Sequence, residues 1–197
     1  TGVQAVLQYP AYLKRAPESL TQAGDLTLPE GTQITWTFNC LNAEYLHAVI
    51  NGQKQQVGIE DNQAQLSWTA MQSFPYQIFP ASALAKSLDS LTYFVNVVPD
   101  QYPQISLIDK IDSNSQTLHI LTGEIQDDYG ISKLQFNLKT PGSKWSSTPM
   151  NINSGASSDI YYHPLDLSPY ALSPGDTIQY YFEVWDNDGV HGAKSSK

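Results

Sequence analysis

The sequence predicts an all-β chain built as two tandem β-sandwiches. Three observations carry that prediction. Runs in which alternate residues are apolar recur along the whole chain, and this period of two is the mark of a half-buried strand. Turn residues punctuate the runs: Asn51-Gly52, Pro141-Gly142, Pro174-Gly175 and Asn187-Asp188-Gly189. Near the middle, "VVPDQYPQI" (97–105) places two prolines between one strand run and the next. Proline removes a ladder hydrogen bond and does not sit inside a central strand. The boundaries that follow are 1–99 for the first sandwich, 100–102 for a linker and 103–197 for the second. Each half is close to the ~100 residues of one sandwich domain.

The elements are justified in chain order. The segment "YPAYLKRAPESLTQAG" (9–24) is long for a leading strand and is expected to lie along the first unit as a solvated surface, with Lys14 and Arg15 exposed. "ITWTFNC" (34–40) sets Ile34, Trp36, Phe38 and Cys40 on one face and Thr35, Thr37 and Asn39 on the other, within a strand at 31–40. Further strands are expected at 44–50, 64–70, 73–79 and 90–98, the last carried by the β-branched and aromatic "SLTYFVNVV". "PASALAKSL" (80–88) has the composition of one or two helical turns between strands.

In the second half the expected strands are 103–109, 117–126, 131–140, 158–164, 176–186 and 190–195. "SKLQFNLK" alternates Leu134, Phe136 and Leu138 against charged and amide residues. "TIQYYFEVW" sets Ile178, Tyr180, Phe182 and Val184 against Gln179, Tyr181, Glu183 and Trp185. "HILTGEIQ" (119–126) fits two registers, with either His119, Leu121, Gly123 and Ile125 or Leu118, Ile120 and Thr122 toward the core. "LDLSPYAL" (165–172) is expected to form a short helical turn.

Composition excludes several classes of function. Ten Lys and Arg against nineteen Asp and Glu leave a net charge of −9. A phosphate backbone is bound by surplus cations, so nucleic acid is not an expected partner. Anionic membrane surfaces are disfavoured for the same reason. No run of about 18 apolar residues is present, so this stretch is not expected to insert directly into a membrane. Cys40 is the only cysteine, which rules out an internal disulfide, a CxxC pair and a cysteine-rich zinc site. The chain opens Thr1-Gly2-Val3-Gln4 and closes "HGAKSSK", and reads as a piece of a longer protein whose last strand is truncated.

Sequence stretches quoted above also carry a family resemblance. "GDLTLPEGTQITWTFNC" (24–40) resembles the opening of an immunoglobulin-like domain, with strand B ending on a cysteine. The partner cysteine of that fold is expected on strand F two residues after a tyrosine. Here the order is Tyr76-Gln77-Ile78, so the resemblance implies the fold without its disulfide and a buried thiol at Cys40 near Ile78. "TGEIQDDYGISKLQF" and "PGDTIQYYFEVWDNDG" resemble extracytoplasmic immunoglobulin-like or fibronectin-III-like modules. With "YPAYLKRAPESL", "VVPDQYP" and "YYFEVWDNDGVHGAKS" they are similar to a family of large membrane-anchored bacterial proteins of unknown function. The resemblance implies tandem immunoglobulin-like sandwiches held outside the cytoplasm, in the periplasm or at the cell surface. It implies partners among other envelope proteins or other parts of the parent chain, and it brings no catalytic residue with it.

No motif for catalysis or a cofactor is present. GxSxG and HExxH are absent, and His47, His119, His163 and His191 are far apart in sequence. Exposed aromatics on a sandwich stack on sugar rings, which makes Trp68, Trp145, Tyr161 and Tyr162 candidates for a glycan site. The competing reading is cross-strand packing of the same rings. Asp100 of the linker, Asp127 and Asp128 of the B–C turn, and Asp186 and Asp188 of the F–G turn are expected to converge at the end of the second sandwich that receives the linker, the junction between the domains. Carboxylates so gathered suit Ca²⁺, which takes six to eight oxygen ligands. The competing reading is turn chemistry, because Asp and Asn side chains bond their own backbone and complete tight turns with glycine.

Overall fold

The computed structural model describes residues 2–41, 43–82, 85–86, 91–111, 115 and 117–197. The chain divides into two compact units, Thr1–Pro99 and Asp100–Lys197. Among the described residues no helix is long and apolar enough to cross a membrane.

Among the described residues the first unit has ten strands in chain order: β1 (Val3–Gln8), β2 (Glu18–Leu20), β3 (Leu26–Pro29), β4 (Thr32–Asn39), β5 (Tyr45–Ile50), β6 (Gln53–Gly58), β7 (Gln63–Ala70), β8 (Phe74–Ser82), β9 (Ala85–Lys86) and β10 (Leu91–Val98). They form two sheets, β2-β1-β4-β7 and β3-β10-β8-β5-β6, with β9 on β8. All pairings are antiparallel except that of β3 with β10. The leading chain thus pairs with the second-strand sheet through β1 and crosses to the last strand through β3, as in immunoglobulin-like sandwiches.

The inward faces of both sheets share one core. Ile34, Trp36, Phe38 and Cys40 contribute from β4 and its end, and Leu46, Ala48, Ile50, Phe74, Tyr76 and Ile78 from the facing sheet. Trp36 and Tyr76 stack with ring centroids 5.0 Å apart, and the Tyr76 hydroxyl donates to the Gly24 carbonyl at 2.7 Å. Burial of that ring pushes the Tyr76 hydroxyl well above its ordinary pKa.

Among the described residues the second unit has eight strands: β11 (Gln104–Ile105), β12 (Ile108–Ile111), β13 (Leu118–Gln126), β14 (Ile131–Lys139), β15 (Ser146–Met150), β16 (Ser158–Asp166), β17 (Gln179–Asp186) and β18 (Ser195–Ser196). In one sheet β13 carries β11 and β12 on one edge and β16 on the other. The other sheet runs β15-β14-β17-β18. Leu121, Ile125, Ile131, Leu134, Phe136, Leu138, Tyr161, Leu165, Phe182 and Val184 form its core. The architecture is all-β throughout, two sandwiches of immunoglobulin-like type.

Five expectations are corrected. The strand expected at 103–109 is broken after Ile105, because the Ser106 carbonyl folds over Gly123, where a Cβ would lie 1.9 Å from it. Tyr161 holds that fold in place with a 2.6 Å hydrogen bond to the same carbonyl. The strand expected at 190–195 shrinks to Ser195–Ser196, because the backbone of 188–194 is drawn into bonds with Asp186 and Asp188. The strand expected from 176 begins at Gln179, because Asp176 closes a turn with the Ser173 amide at 2.8 Å. At 80–88 the described residues are extended, in β8 and β9, and the remaining residues of that expected helix lie outside the described ones.

The fifth correction adds strands not expected from the sequence: β2, β6 and β15, which carry too few apolar residues or strand formers to stand out, and β1, whose Val3, Ala5 and Leu7 nonetheless alternate inward in period two. β6 (QKQQVG) follows directly from the Asn51-Gly52 turn, whose two residues both take positive φ, 48° and 77°. That is the two-residue hairpin geometry whose twist matches the strands. Of the two registers open to β13, the packed one buries Leu121, Gly123 and Ile125.

Candidate functional site

The densest polar arrangement lies at one end of the second unit. It is built from the turn between β13 and β14, the turn between β17 and β18, and the entering chain at Asp100. At the first turn Asp127 Oδ2 accepts from the amides of Tyr129 (3.0 Å) and Gly130 (2.7 Å), so this carboxylate closes its own turn. At the second, Asp186 Oδ1 accepts from the amides of Lys194 (2.7 Å) and Asp188 (3.2 Å). Asp188 Oδ1 accepts from Val190 (2.7 Å) and His191 (3.2 Å). Asn187 Nδ2 donates to the Tyr129 carbonyl at 3.0 Å and ties the two turns together.

A lysine occupies the middle of the cluster. Lys194 Nζ donates to Asp100 Oδ1 at 2.8 Å and to Asp188 Oδ2 at 2.7 Å, and lies 3.6 Å from Asp186 Oδ2. The side chains of Asp186 and Asp188 are fully buried and that of Asp100 is 2% exposed. Three carboxylates withdrawn from water to this degree require a counter-charge, and the ammonium supplies it. Burial opposes ionisation of Asp188, but the bonds from Lys194, Val190 and His191 outweigh it and hold the carboxyl below its usual range. Burial likewise opposes charge on Lys194, and its bonds to Asp100 and Asp188 raise it above the ordinary lysine value. Asp127 and Asp128 shift the other way. Burial raises Asp127 against its turn amides, with Asp128 and Asp100 adding to the rise. Burial and the nearby Asp100 raise Asp128.

All five sequence-predicted carboxylates therefore belong to this end of the unit. Asp100, Asp186 and Asp188 converge on Lys194, Asp128 is close enough to Asp100 to feel its charge, and Asp127 serves its own turn. Among the described residues no group of three or more His, Cys, Asp or Glu is arranged to hold a metal ion. Sequence reasoning missed Lys194 as the centre of the cluster. No local pattern marks it, because one of its partners, Asp100, lies 94 positions away.

A family model described as a domain of unknown function, DUF4175, matches residues 2–168. The chain belongs to the DUF4175 family. The matched DUF4175 segment includes Asp100, Asp127 and Asp128 and ends before β17, so Asp186, Asp188 and Lys194 lie outside it. No curated protein matches the chain significantly. Solved structures similar to it include chicken TCR, at 9% identity over 74% of this chain and 88% of that one, with a TM-score of 0.29. The human OSCAR ligand-binding domain is similar at 12% identity over 87% of this chain and 89% of that one, also at 0.29. At that score neither carries an argument about this chain's sites, and the fold stands on its own strand order.

The four aromatic candidates are dispersed. Tyr161 is a core residue whose hydroxyl holds Ser106. Trp68 packs on the first core, with its ring 6.1 Å from Phe74. Tyr162 is exposed on β16, in the sheet opposite the one that carries β15 and β17. Trp145 is half exposed and meets Tyr181 edge-on at 5.0 Å. A second polar cluster, unforeseen in the sequence, joins the two sheets of the second unit. Asp109 on β12 accepts from Tyr180 on β17 at 2.7 Å and contacts His119 Nδ1 on β13 at 2.9 Å. Burial opposes the Asp109 charge, but these bonds hold its carboxyl below the usual range. Burial and the Asp109 partner push Tyr180 up to about 12.

Proposed function

We propose that the two units are non-catalytic structural or protein-interaction modules of a larger membrane-anchored envelope protein, held outside the cytoplasm. The observation that supports this reading best is how the reactive side chains of the second unit are used. Asp186, Asp188 and Lys194 are fully or largely buried and bonded to one another and to their own loop backbone. Asp109 contacts His119 within its own sheet and accepts from Tyr180 across to the other. These groups fix loops and join sheets, which is what a module that presents a stable surface needs. The partner in this reading is another envelope protein or another segment of the parent polypeptide.

The test uses the full-length parent in its native cells. Site-specific photo-crosslinkers are placed on exposed positions such as Tyr162, Trp145 and Lys54, and intact cells are treated with protease before lysis. Protection inside an intact inner membrane compartment would overturn the extracytoplasmic reading. Crosslinking to one discrete envelope protein supports an interaction module. Crosslinking to glycan strands alone replaces that reading with recognition of carbohydrate.

A further inference from the structure

The outward face of the sheet formed by β12, β13 and β16 is apolar where water would ordinarily meet polar side chains. Leu121 and Ile125 of β13 turn into the core, so Ile120, Thr122 and Glu124 turn outward. The ladders put Lys110 and Pro164 on either side of Ile120, Ile108 and Tyr162 on either side of Thr122, and Ile160 beside Glu124. Directly opposed residues share a face of a sheet, so all of these side chains stand on the outward one. Ile108 is 52% exposed, Ile160 76% and Tyr162 60%. An antiparallel sheet wetted on one face alternates apolar-in with polar-out. A contiguous exposed apolar patch framed by charges instead marks an interaction surface.

The charges on this face decide what fits it. Lys110 opposes Ile120, and Glu124 lies four residues further along β13, about 13 Å away at the rise of a strand. The two charges therefore stand at opposite ends of the patch and do not pair within one sheet. Gln126 donates to Glu124 Oε1 at 2.6 Å and holds that carboxylate on the face. We propose that the occupant is a second copy of the same face, related by a two-fold axis that runs between the two sheets and crosses the strands at Thr122. That operation reverses strand direction and keeps each strand over its own equivalent, within the ~30° at which aligned sheets pack. It brings Glu124 of each copy beside Lys110 of the other. It sets Ile160 on Pro164, and Ile108 and Tyr162 on their own equivalents. An axis along the strands would lay Glu124 on Glu124, and that like-charge contact selects against it. The contact is isologous, as in two-fold dimers generally. Three strands ~4.8 Å apart and about 30 Å long give a face on the order of 400 Å². A standard interface buries ~800 Å² per partner, so this association is weak. The proposal rests on the reading of these units as interaction modules and names a partner for it.

The test is sedimentation equilibrium of the chain up to about 1 mM, the range in which weak affinities are read. A monomer–dimer equilibrium is expected. Ile160→Asp puts a charge into the apolar contact and is expected to weaken it by at least ~10-fold. Its melting temperature should stay close to that of the parent, because Ile160 is exposed. Lys110→Glu and Glu124→Lys each replace an attractive contact by a repulsive one at both ends of the dimer, and each is expected to weaken it about 5-fold. Combined in one chain they exchange the charges and should restore the parental dissociation constant. Lys54→Glu, on exposed β6 of the first unit, changes net charge as much as Lys110→Glu and should leave association unchanged. A chain that stays monomeric at the highest concentration overturns the proposal and leaves the interaction-module reading to its own crosslinking test. A dimer that Ile160→Asp leaves intact also overturns it, as does a double reversal no tighter than the single ones.

Discussion

Cys40 is 2% exposed, and its thiol donates to the Phe38 carbonyl at 3.6 Å. Burial raises its pKa, so little thiolate is present and reagents have no path to it. Native protein should react slowly with a thiol reagent and quickly once denatured. Immediate stoichiometric labelling of the folded chain would contradict its placement in the first core. Gly123 is a residue of a different kind, required because a backbone carbonyl occupies the space a side chain would take. An added Cβ would meet the Ser106 oxygen at 1.9 Å and the Tyr161 hydroxyl at 2.7 Å. Gly123→Ala should therefore cost at least the ~1–3 kcal/mol typical of overpacking. In a urea titration the second unit's midpoint should fall, while Thr148→Ala, on exposed β15, should leave it nearly unchanged. Lys194 is a single charge that serves three carboxylates. Removing one partner of a buried ion pair costs ~3–5 kcal/mol, so Lys194→Ala should lower the melting temperature of the second unit by more than ten degrees.

At the scale of elements, the strands most legible in the sequence are those with one buried and one wet face. β4, β5, β7, β10, β13, β14, β16 and β17 all announce themselves by period two, because a sandwich buries alternate residues. Apart from β1, whose period-two run lies inside its sheet, the elements missed are edges. β2, β6 and β15 lie at the margins of their sheets and expose most of their residues, so no apolar stripe marks them. β12 is wholly exposed by the same logic. The break between β11 and β12 was illegible because its cause, the Ser106 carbonyl over Gly123, is a contact distant in sequence. In the candidate site, the turns and the convergence of their carboxylates were readable from Asp-Asp-x-Gly and Asn-Asp-Gly. The counter-ion was not, because Lys194 reaches Asp100 across 94 positions and no local pattern encodes that bond. An element-level prediction follows from the Asp109 tie. Tyr180→Phe removes the only donor from β17 to Asp109 among the bonds described here. It should lower stability by about 1 kcal/mol, the usual cost of a hydrogen bond, and raise the Asp109 pKa as followed by carboxyl NMR.

For the whole molecule the balance of charge decides how stability responds to solution conditions. Nineteen acids outnumber ten Lys and Arg, yet one of those ten is spent inside the second unit. Asp188 and Asp109 have folded pKa values below their unfolded ones. Their stabilising contribution is present above the unfolded carboxylate value of ~3.9 and is lost as pH falls through the folded values. Lys194 is shifted upward, so its contribution is complete below the unfolded lysine value of ~10.4 and is lost as pH rises through the folded value. Asp127 and Asp128, raised by burial, add a small opposite slope, because the folded state takes up their protons first. Melting temperature should therefore be nearly flat from weakly acidic to weakly alkaline pH and fall on both sides. Millimolar Ca²⁺ or EDTA should leave it unmoved, since the ammonium already lies within hydrogen-bond distance of the oxygens a cation would use. Lys194→Met inverts the acid side. Without the counter-ion the cluster is a set of buried like charges, the folded state binds more protons than the unfolded one, and stability falls as pH rises. That variant should melt higher at pH 5 than at pH 7, and at pH 7 it should gain stability from Ca²⁺. A variant with the wild-type pH profile would show that Lys194 is not what neutralises Asp100, Asp186 and Asp188.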